Sequence, residues 1–275
     1  MKGDTMIIDT HAHIGALPPF FDMTTEQVLY SMEKYGIDFS LISNIEAAEY
    51  DHQRNPVPAF LQKPQNVILR DTLDAVKKAS DKLGALPWLK IGSELPDADF
   101  IRTVKENRSL IYGFKLHPFH SLVAPDDERL EPVYSLAAEL NLPVVSHTGG
   151  CEQAMSPHLY QAAKRHPEID FVMVHMDLGT DNAQALELLG KLPNLYGDTT
   201  WVPVSATLEA IRRYGSEKML FGTDNPIDGP DTLLHNKTGD RSLYQEYFIE
   251  LRGLLDADDY ENLMYKNAQR IFQIK

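Results

Sequence analysis

The sequence predicts an α/β protein folded as a single (β/α)8 barrel, a TIM barrel. Two observations carry this prediction: short apolar runs alternate with longer amphipathic ones, and the alternation repeats eight times. Parallel strands joined by right-handed helical crossovers produce this alternation, and eight such units close into a barrel. An open, doubly wound parallel sheet is the alternative arrangement. The length of 275 residues fits one barrel, so we expect a single domain over residues 1–275.

The predicted strands are rich in Val, Ile, Leu and Phe and show little alternation with polar residues. Strands that are buried on both faces of a parallel sheet have this composition. The eight predicted strands span residues 6–9, 39–43, 85–91, 111–115, 143–147, 171–175, 195–198 and 219–222.

Helix boundaries are marked between several of these strands. Thr24 and Gln27 form the pattern of a capping box, and Gly36 is placed to end the same helix. Later apolar periodicities run up to Gly84, Asn141 and Gly215, and a final helix is predicted over residues 256–273. Two long connections, residues 45–65 and 225–242, follow the second and eighth strands. Both are therefore expected over one end of the barrel.

Composition narrows the classes of function. The formal net charge is −14, which argues against a nucleic-acid partner because phosphate binding needs clustered Lys and Arg. No run reaches the ~18 apolar residues of a membrane span, and the first ten residues lack the long apolar region of a secretion signal. Cys151 is the only cysteine, which suits a reducing compartment. We therefore expect a cytoplasmic protein without membrane partners; a homo-oligomer is compatible with this architecture.

Side chains able to bind a metal follow four of the predicted strands. His11 and His13 come directly after the first run and, two residues apart on a strand, point the same way. His147 ends the fifth predicted strand, His175 ends the sixth, and Asp224 follows the eighth. Active sites of TIM barrels are assembled at the C-terminal ends of several strands. The sequence therefore predicts a metal site at that face of the barrel.

The chain resembles the amidohydrolase superfamily, specifically its amidohydrolase-related branch, amidohydrolase 2. The resemblance is carried by four motifs: Asp-Thr-His-Ala-His at residues 9–13, Gly-Phe-Lys-Leu-His-Pro at 113–118, His-Thr-Gly at 147–149 and Gly-Thr-Asp-Asn-Pro at 222–226. The closing segment 267–272 also resembles the usual C-terminal helix. The branch includes hydrolases, nonoxidative decarboxylases and hydratases, so the resemblance implies the scaffold and the metal more closely than the reaction.

By this resemblance His11, His13, His147 and Asp224 bind one divalent cation. Three imidazole nitrogens and a carboxylate suit Zn²⁺ and leave a position for water, while Mn²⁺ could replace it. Asp224 is also expected to take the proton from the attacking water. His175 is expected to act as a general acid or to polarise the substrate.

Lys115 and His117 lie two residues apart after the fourth strand and are expected to bind substrate. In some binuclear relatives a lysine from this strand is carboxylated and bridges two metals; we expect a free Lys115 amine that meets a substrate carboxylate. Asp198 is expected to be mostly structural. The remaining histidines are expected in solvated loops or helices; they are His52, His120, His158, His166 and His235.

The leading hypothesis from the sequence is hydrolysis of a small amide or lactone by metal-bound hydroxide. Nonoxidative decarboxylation or hydration of a small carboxylic acid in the same pocket is the alternative. Some decarboxylases of the branch carry Glu-x-His in the first motif, so His11 favours hydrolysis without excluding its rivals. A barrel that only binds a ligand is a third hypothesis, disfavoured because all the metal-binding groups are present together.

Overall fold

A computed structural model describes residues 5–19, 21–227, 248 and 250–275. The strands, numbered in chain order, are β1 (Ile8–Leu17), β2 (Phe21–Met23), β3 (Phe39–Asn44), β4 (Leu83–Ala85), β5 (Phe114–Leu116), β6 (Val144–Gly149), β7 (Phe171–Leu178), β8 (Leu195–Asp198) and β9 (Met219–Leu220). The helices are α1 (Thr25–Tyr35), α2 (Gln65–Lys78), α3 (Ala98–Glu106), α4 (Pro118–Ser121), α5 (Glu131–Leu140), α6 (Ser156–Arg165), α7 (Ala183–Leu189), α8 (Val204–Tyr214), α9 (Ala257–Glu261) and α10 (Asn267–Phe272). A π-helical turn, Asn262–Lys266, joins the last two.

Eight parallel strands form the predicted barrel, and β2 is an antiparallel addition to β1. One ladder runs β1–β3–β4 and the other runs β5 to β9. The two ladders meet at two places in the barrel wall, and backbone hydrogen bonds join them at both. Between β4 and β5 the Tyr112 N–H donates to the Ala85 carbonyl over 3.0 Å, and between β9 and β1 the Thr10 N–H donates to the Phe221 carbonyl over 3.0 Å. The fold class predicted from the sequence is confirmed; the single domain over residues 1–275 stays a prediction.

The helices cover the outside of the barrel, and an apolar cluster fills its interior. Val145, Val172 and Leu220 belong to the interior cluster, and the C-terminal residues Ile271 and Phe272 pack against them. Val145 is two residues before His147 on β6, so both side chains lie on the inner face of that strand. The apolar interior therefore ends where the polar side chains of the site begin.

Local motifs explain where several helices begin and end. Thr24 forms the predicted capping box with Gln27, and Gly36 ends α1 in the left-handed region at φ 72°. Asn141 and Gly215 end α5 and α8 as expected. The predicted helix 256–273 is present as α9, the π turn and α10.

The boundaries that the sequence predicts around Gly84 are wrong. The second helix ends at Lys78, and Gly84 lies in β4. A Cβ atom on Gly84 would come within 2.5 Å of the Tyr112 ring, so this glycine permits close packing on the strand and does not cap a helix. The third strand accordingly starts two residues earlier than predicted and ends at Ala85, with only an isolated bridge from Trp88 to Lys115 beyond it.

Of the two long connections, residues 45–65 are described and residues 228–242 of the other lie outside the described part of the chain. The backbone N–H groups of Glu49 and Tyr50 both donate to the His120 carbonyl, over 3.0 and 2.9 Å. Val57 donates in turn to the Glu49 carbonyl over 2.9 Å. The first connection is therefore tied to α4 along one wall of the barrel mouth. No helix in the described residues is long and apolar enough to cross a bilayer.

Candidate metal centre

The site begins at an irregularity in β1. The register of β1 against β3 shifts between Asp9 and Ala12. Asp9 holds this segment by accepting hydrogen bonds from the His11 N–H at 3.0 Å, the Thr223 N–H at 3.0 Å and the Thr223 hydroxyl at 2.7 Å. Burial raises the pKa of Asp9 to about 7. Asp9 thus joins the start of β1 to the segment after β9 and fixes the backbone that carries the two histidines.

Three ligand-type side chains converge at this point. The Nε2 atoms of His11 and His13 lie 2.9 Å apart, and Asp224 Oδ1 is 3.5 Å from the first and 3.1 Å from the second. All three residues are buried, and their potential ligand atoms lie within 4.8 Å of one another. The predicted ligands His11, His13 and Asp224 are therefore brought together from opposite ends of the chain.

The chemistry of these three groups fits a divalent cation. Burial alone would raise the pKa of Asp224, but its hydrogen bond with His13 and its electrostatic interactions with the surrounding imidazoles hold the pKa well below its usual range, which favours the charged carboxylate. His13 Nδ1 lies 2.9 Å from the Ser43 hydroxyl, and this contact leaves its Nε2 facing Asp224. A carboxylate and two imidazole nitrogens form a mixed N/O set of the kind that binds Zn²⁺ or Mn²⁺.

An aspartate behind His11 gives this ligand set its outer support. His11 Nδ1 is buried without a hydrogen bond, and Asp198 Oδ2 is 3.5 Å away. A small shift of either side chain would form the imidazole–carboxylate contact that commonly orients a metal-bound histidine. Burial raises the pKa of Asp198 to about 7. The sequence suggested a mostly structural Asp198, and the structure places it directly behind the candidate ligands.

His147, the fourth predicted ligand, lies in the same cavity but outside the three-residue cluster. Its Nε2 faces the Gly149 carbonyl at 3.2 Å, and its Nδ1 is buried without a hydrogen-bond partner. The ring stacks on His117 at a centroid distance of 4.1 Å and meets His175 edge-on at 4.7 Å. The role of His147 as a ligand stays a prediction; while Nε2 contacts the Gly149 carbonyl, Nδ1 is the nitrogen left to bind a cation.

Lys115 is completely buried and lies behind the cluster. Its Nζ is 3.0 Å from His11 Nε2, and burial lowers the pKa of the amine to about 8. Lys115 is not among the residues that line the cavity described below. The structure therefore brings Lys115 to the candidate ligands, and its predicted contact with a substrate carboxylate stays a prediction.

His175 is held in an unusual backbone conformation within β7. His175, Met176 and Asp177 all have positive φ, at 69°, 47° and 69°. The His175 N–H donates to Asp198 Oδ1 over 2.9 Å, and its Nδ1 faces the Thr200 carbonyl at 3.1 Å. Such strained stretches persist where their surroundings hold them, often at functional sites.

The contact with Thr200 determines which nitrogen of His175 carries the hydrogen. A carbonyl oxygen only accepts, so Nδ1 carries the hydrogen and Nε2 is left with a lone pair. Burial lowers the pKa of His175 to about 4, so the ring is neutral at pH 7. This form accepts a proton. The predicted role of His175 as a general acid stays a prediction.

Trp201 contacts the site although the sequence did not single it out. Its indole N–H donates to Asp224 Oδ2 over 2.7 Å, while the other carboxylate oxygen faces His13. Trp201 follows β8 and Asp224 follows β9, so two neighbouring strand ends bring the pair together. Nothing in the local sequence around Trp201 indicates this contact.

A cavity of about 420 Å³ opens above the cluster. Its lining is largely aromatic and aliphatic, with polar groups supplied mainly by histidines. The lining residues are His13, Phe21, Ile45, His52, Trp88, His117, Phe119, His120, His147, Gly150, His175, Leu178, Trp201, Asp224 and Ile227.

The lining of this cavity can be compared with the predictions made for several histidines. His117, predicted to bind substrate, lines the cavity, stacks on Trp88 at 4.5 Å and has a buried Nδ1 without a partner. His120 is 4% exposed and lines the same wall, so the prediction of a solvated residue is wrong for it. His52 is exposed but borders the cavity mouth. His235 lies outside the described residues.

Comparisons with known proteins identify the family of this chain. The model of the amidohydrolase 2 family, described as amidohydrolase, matches residues 8–274. The chain belongs to the amidohydrolase-related branch of that family, and it is an enzyme. A comparison with the curated proteins finds no match.

Solved structures with the same fold share little sequence with this chain. The 5-carboxyvanillate decarboxylase of Sphingomonas paucimobilis superposes with a TM-score of 0.71 at 14% identity, covering 99% of this chain and 100% of the other. A 5-carboxyvanillate decarboxylase of Novosphingobium aromaticivorans with bound manganese gives 0.73 at 12% identity, with 98% of each chain covered. A probable 2-pyrone-4,6-dicarboxylic acid hydrolase of Acinetobacter baumannii gives 0.66 at 16% identity, covering 98% and 99%.

Proposed function

We propose that the protein uses one divalent cation to remove CO₂ nonoxidatively from a small aromatic carboxylic acid. The observation that carries this proposal is the meeting of a His11–His13–Asp224 cluster with a cavity whose walls include Phe21 and Trp88. The neighbouring structures named as decarboxylases support it, since they share the whole barrel. This proposal reverses the order of the two hypotheses drawn from the sequence, in which hydrolysis led.

The walls of the cavity fit a flat, apolar ring. Phe21, Trp88, Phe119 and Trp201 supply aromatic surface around a volume of about 420 Å³, which holds a substituted benzene ring. Aromatic side chains bind such rings through offset or edge contacts as well as by excluding water. Loss of CO₂ disperses the charge of a carboxylate, so a water-poor cavity favours this step over the solvated ground state.

The polar groups of the site have separable roles in this reaction. His11, His13 and Asp224 would hold the cation, which when bound acts as a Lewis acid towards substrate oxygen atoms. The C–C bond to the carboxyl group breaks, its electron pair stays on the ring carbon, and that carbon takes a proton. We assign the proton transfer to His175, whose neutral Nε2 can take a proton from a substrate hydroxyl or water and return it to the ring.

Hydrolysis of a lactone or amide is the second candidate. The observation that favours it is the paired His11 and His13 on one strand, with Asp224 at 3.1 Å from His13 as a group able to take a proton from water. This reaction would use the same three ligands. It differs in consuming a water molecule and in leaving every carbon in the product.

One experiment separates the two reactions. Protein loaded with Mn²⁺ or Zn²⁺ is incubated in D₂O with hydroxybenzoic acids and, separately, with aromatic lactones and amides. Decarboxylation releases CO₂ and places one deuterium on the ring carbon that lost the carboxyl group, which NMR detects; hydrolysis releases an acid without CO₂. Acid release from the lactones or amides without any CO₂ from the acids would overturn the proposal in favour of hydrolysis.

A matched pair of variants ties either activity to the site. His13→Ala should abolish turnover because it removes a candidate ligand. His158→Ala should leave turnover unchanged, since His158 lies on α6 and pairs with Asp126 at 2.8 Å, away from the cavity lining.

A further inference from the structure

His120 is held so that one particular nitrogen faces the cavity. It lies in the short helix α4, and its Nδ1 is 2.6 Å from the backbone carbonyl oxygen of Tyr50. Because that oxygen can only accept, Nδ1 carries the hydrogen and donates it. The same backbone segment returns a hydrogen bond, since the Tyr50 N–H donates to the His120 carbonyl over 2.9 Å. The ring hydrogen bond to the Tyr50 carbonyl fixes the tautomer of His120, and the backbone hydrogen bond from Tyr50 helps to fix its position.

The other ring nitrogen is left as an acceptor. With the hydrogen on Nδ1, the Nε2 of the neutral ring carries a lone pair and no hydrogen. Burial lowers the pKa of His120 to about 4, which agrees with a neutral ring. Within the described part of the chain no group donates to this nitrogen, and His120 lines the cavity. This acceptor lies at the cavity without a donor from the described residues, so a ligand that carries a donor can bind it.

The surroundings of His120 place this acceptor away from the candidate metal. Its ring neighbours are His117 at 4.5 Å, Phe119 at 5.2 Å and Trp88 at 5.8 Å. Trp88 in turn lies 5.8 Å from His13, so its ring contacts both His120 and a member of the ligand cluster. His120 itself is not part of that cluster, so it can meet a substrate group other than the one that meets the cation.

We propose that His120 Nε2 accepts a hydrogen bond from a hydroxyl group on the aromatic ring of the substrate, and so selects hydroxylated aromatic acids. This inference rests on the proposed function, which brings the carboxylate to the candidate metal, and it adds a second point of recognition in the same cavity. His120 is then a specificity-determining residue, and the connection 45–57 that holds it contributes to substrate choice.

Two substitutions separate the acceptor from the structural contact. In His120→Asn the amide nitrogen can occupy the place of Nδ1 and keep the bond to the Tyr50 carbonyl, while no atom remains at the position of Nε2. In His120→Gln the longer side chain can place its amide oxygen near the position of Nε2 and give up the bond to Tyr50. Thermal melting of both variants reports the cost to the fold independently of ligand binding.

The probes are benzoate, its three monohydroxy isomers and the three matching methoxy isomers, titrated calorimetrically into Mn²⁺-loaded protein. We expect the wild type to bind at least one hydroxybenzoate about 5- to 10-fold more tightly than benzoate or the methoxy isomer, the effect of about one net hydrogen bond. His120→Asn should reduce this ratio to about 1, and His120→Gln should keep a ratio above 2.

The outcomes distinguish this inference from the proposed function. If the wild type prefers a hydroxybenzoate and His120→Asn keeps the full preference, the role of His120 is refuted while the proposed function stands. The role is also refuted if the wild type binds benzoate and its hydroxy and methoxy isomers equally. If the wild type binds none of these acids, both the inference and the aromatic-acid substrate are refuted.

Discussion

Trp201 offers a direct way to measure how the carboxylate of Asp224 is held. We predict that Trp201→Phe weakens Mn²⁺ binding by about 10-fold. The substitution removes the 2.7 Å hydrogen bond from the indole N–H to Asp224 Oδ2 and keeps an aromatic ring in the wall. Hydrogen bonds to charged groups contribute about 1.5–3 kcal/mol, which corresponds to roughly 10- to 100-fold in affinity.

The lower end of this range applies because Trp201 is only half-buried and both residues border the cavity. Water can then replace the lost donor in part. The effect is of the size seen for other groups that orient metal ligands from the outer shell, about 10- to 100-fold.

The assay is competition for Mn²⁺ between the protein and a chelator whose fluorescence reports free metal. Trp88→Phe is the matched control, because Trp88 also lines the cavity but makes no hydrogen bond to Asp224. Wild-type Mn²⁺ affinity in Trp201→Phe, or equal weakening of Mn²⁺ binding in both tryptophan variants, would refute the proposed contribution of the indole hydrogen bond.

Three further predictions follow from the same site. Asp224→Asn should lower kcat by about 10²-fold or more, because it removes the charged metal ligand of the proposed decarboxylase and, in the alternative hydrolysis, the group that takes a proton from water; steady-state kinetics with near wild-type kcat would contradict both roles. Lys115→Met should retain about one metal per chain by elemental analysis, because the buried amine contacts His11 and is not needed as a ligand; two metals in the wild type and one in the variant would instead show a bridging carboxylated lysine. Saturating Mn²⁺ at about 100 times its Kd should stabilise the folded state by about 2.7 kcal/mol, visible as a rise in Tm, and the His11→Ala/His13→Ala double variant should show no rise.

The parts of the fold that the sequence predicts are those fixed by local chemistry. The Thr24–Gln27 capping box and the left-handed residues Gly36 and Asn141 mark helix ends through contacts within a few residues. Gly84 misled the prediction because its role depends on the Tyr112 ring, which lies two residues before β5 and far from Gly84 in the sequence. A glycine that caps a helix and a glycine that allows close packing look alike in a single sequence.

The candidate site also contains some residues that the sequence predicts and others that it does not. His11, His13 and Asp224 could be found because ligand-type residues stood at strand ends, where a barrel gathers them. His120 and Trp201 could not, because their roles arise from contacts with the Tyr50 carbonyl and with Asp224 that depend on the folded arrangement of loops.

Metal content tests the central claim most directly. Elemental analysis of the purified, Mn²⁺-loaded wild type should give about one cation per chain. The His11→Ala/His13→Ala double variant should keep a native-like circular dichroism spectrum and hold far less than one. A folded double variant that still binds one cation per chain would contradict the assignment of His11, His13 and Asp224 as the metal centre.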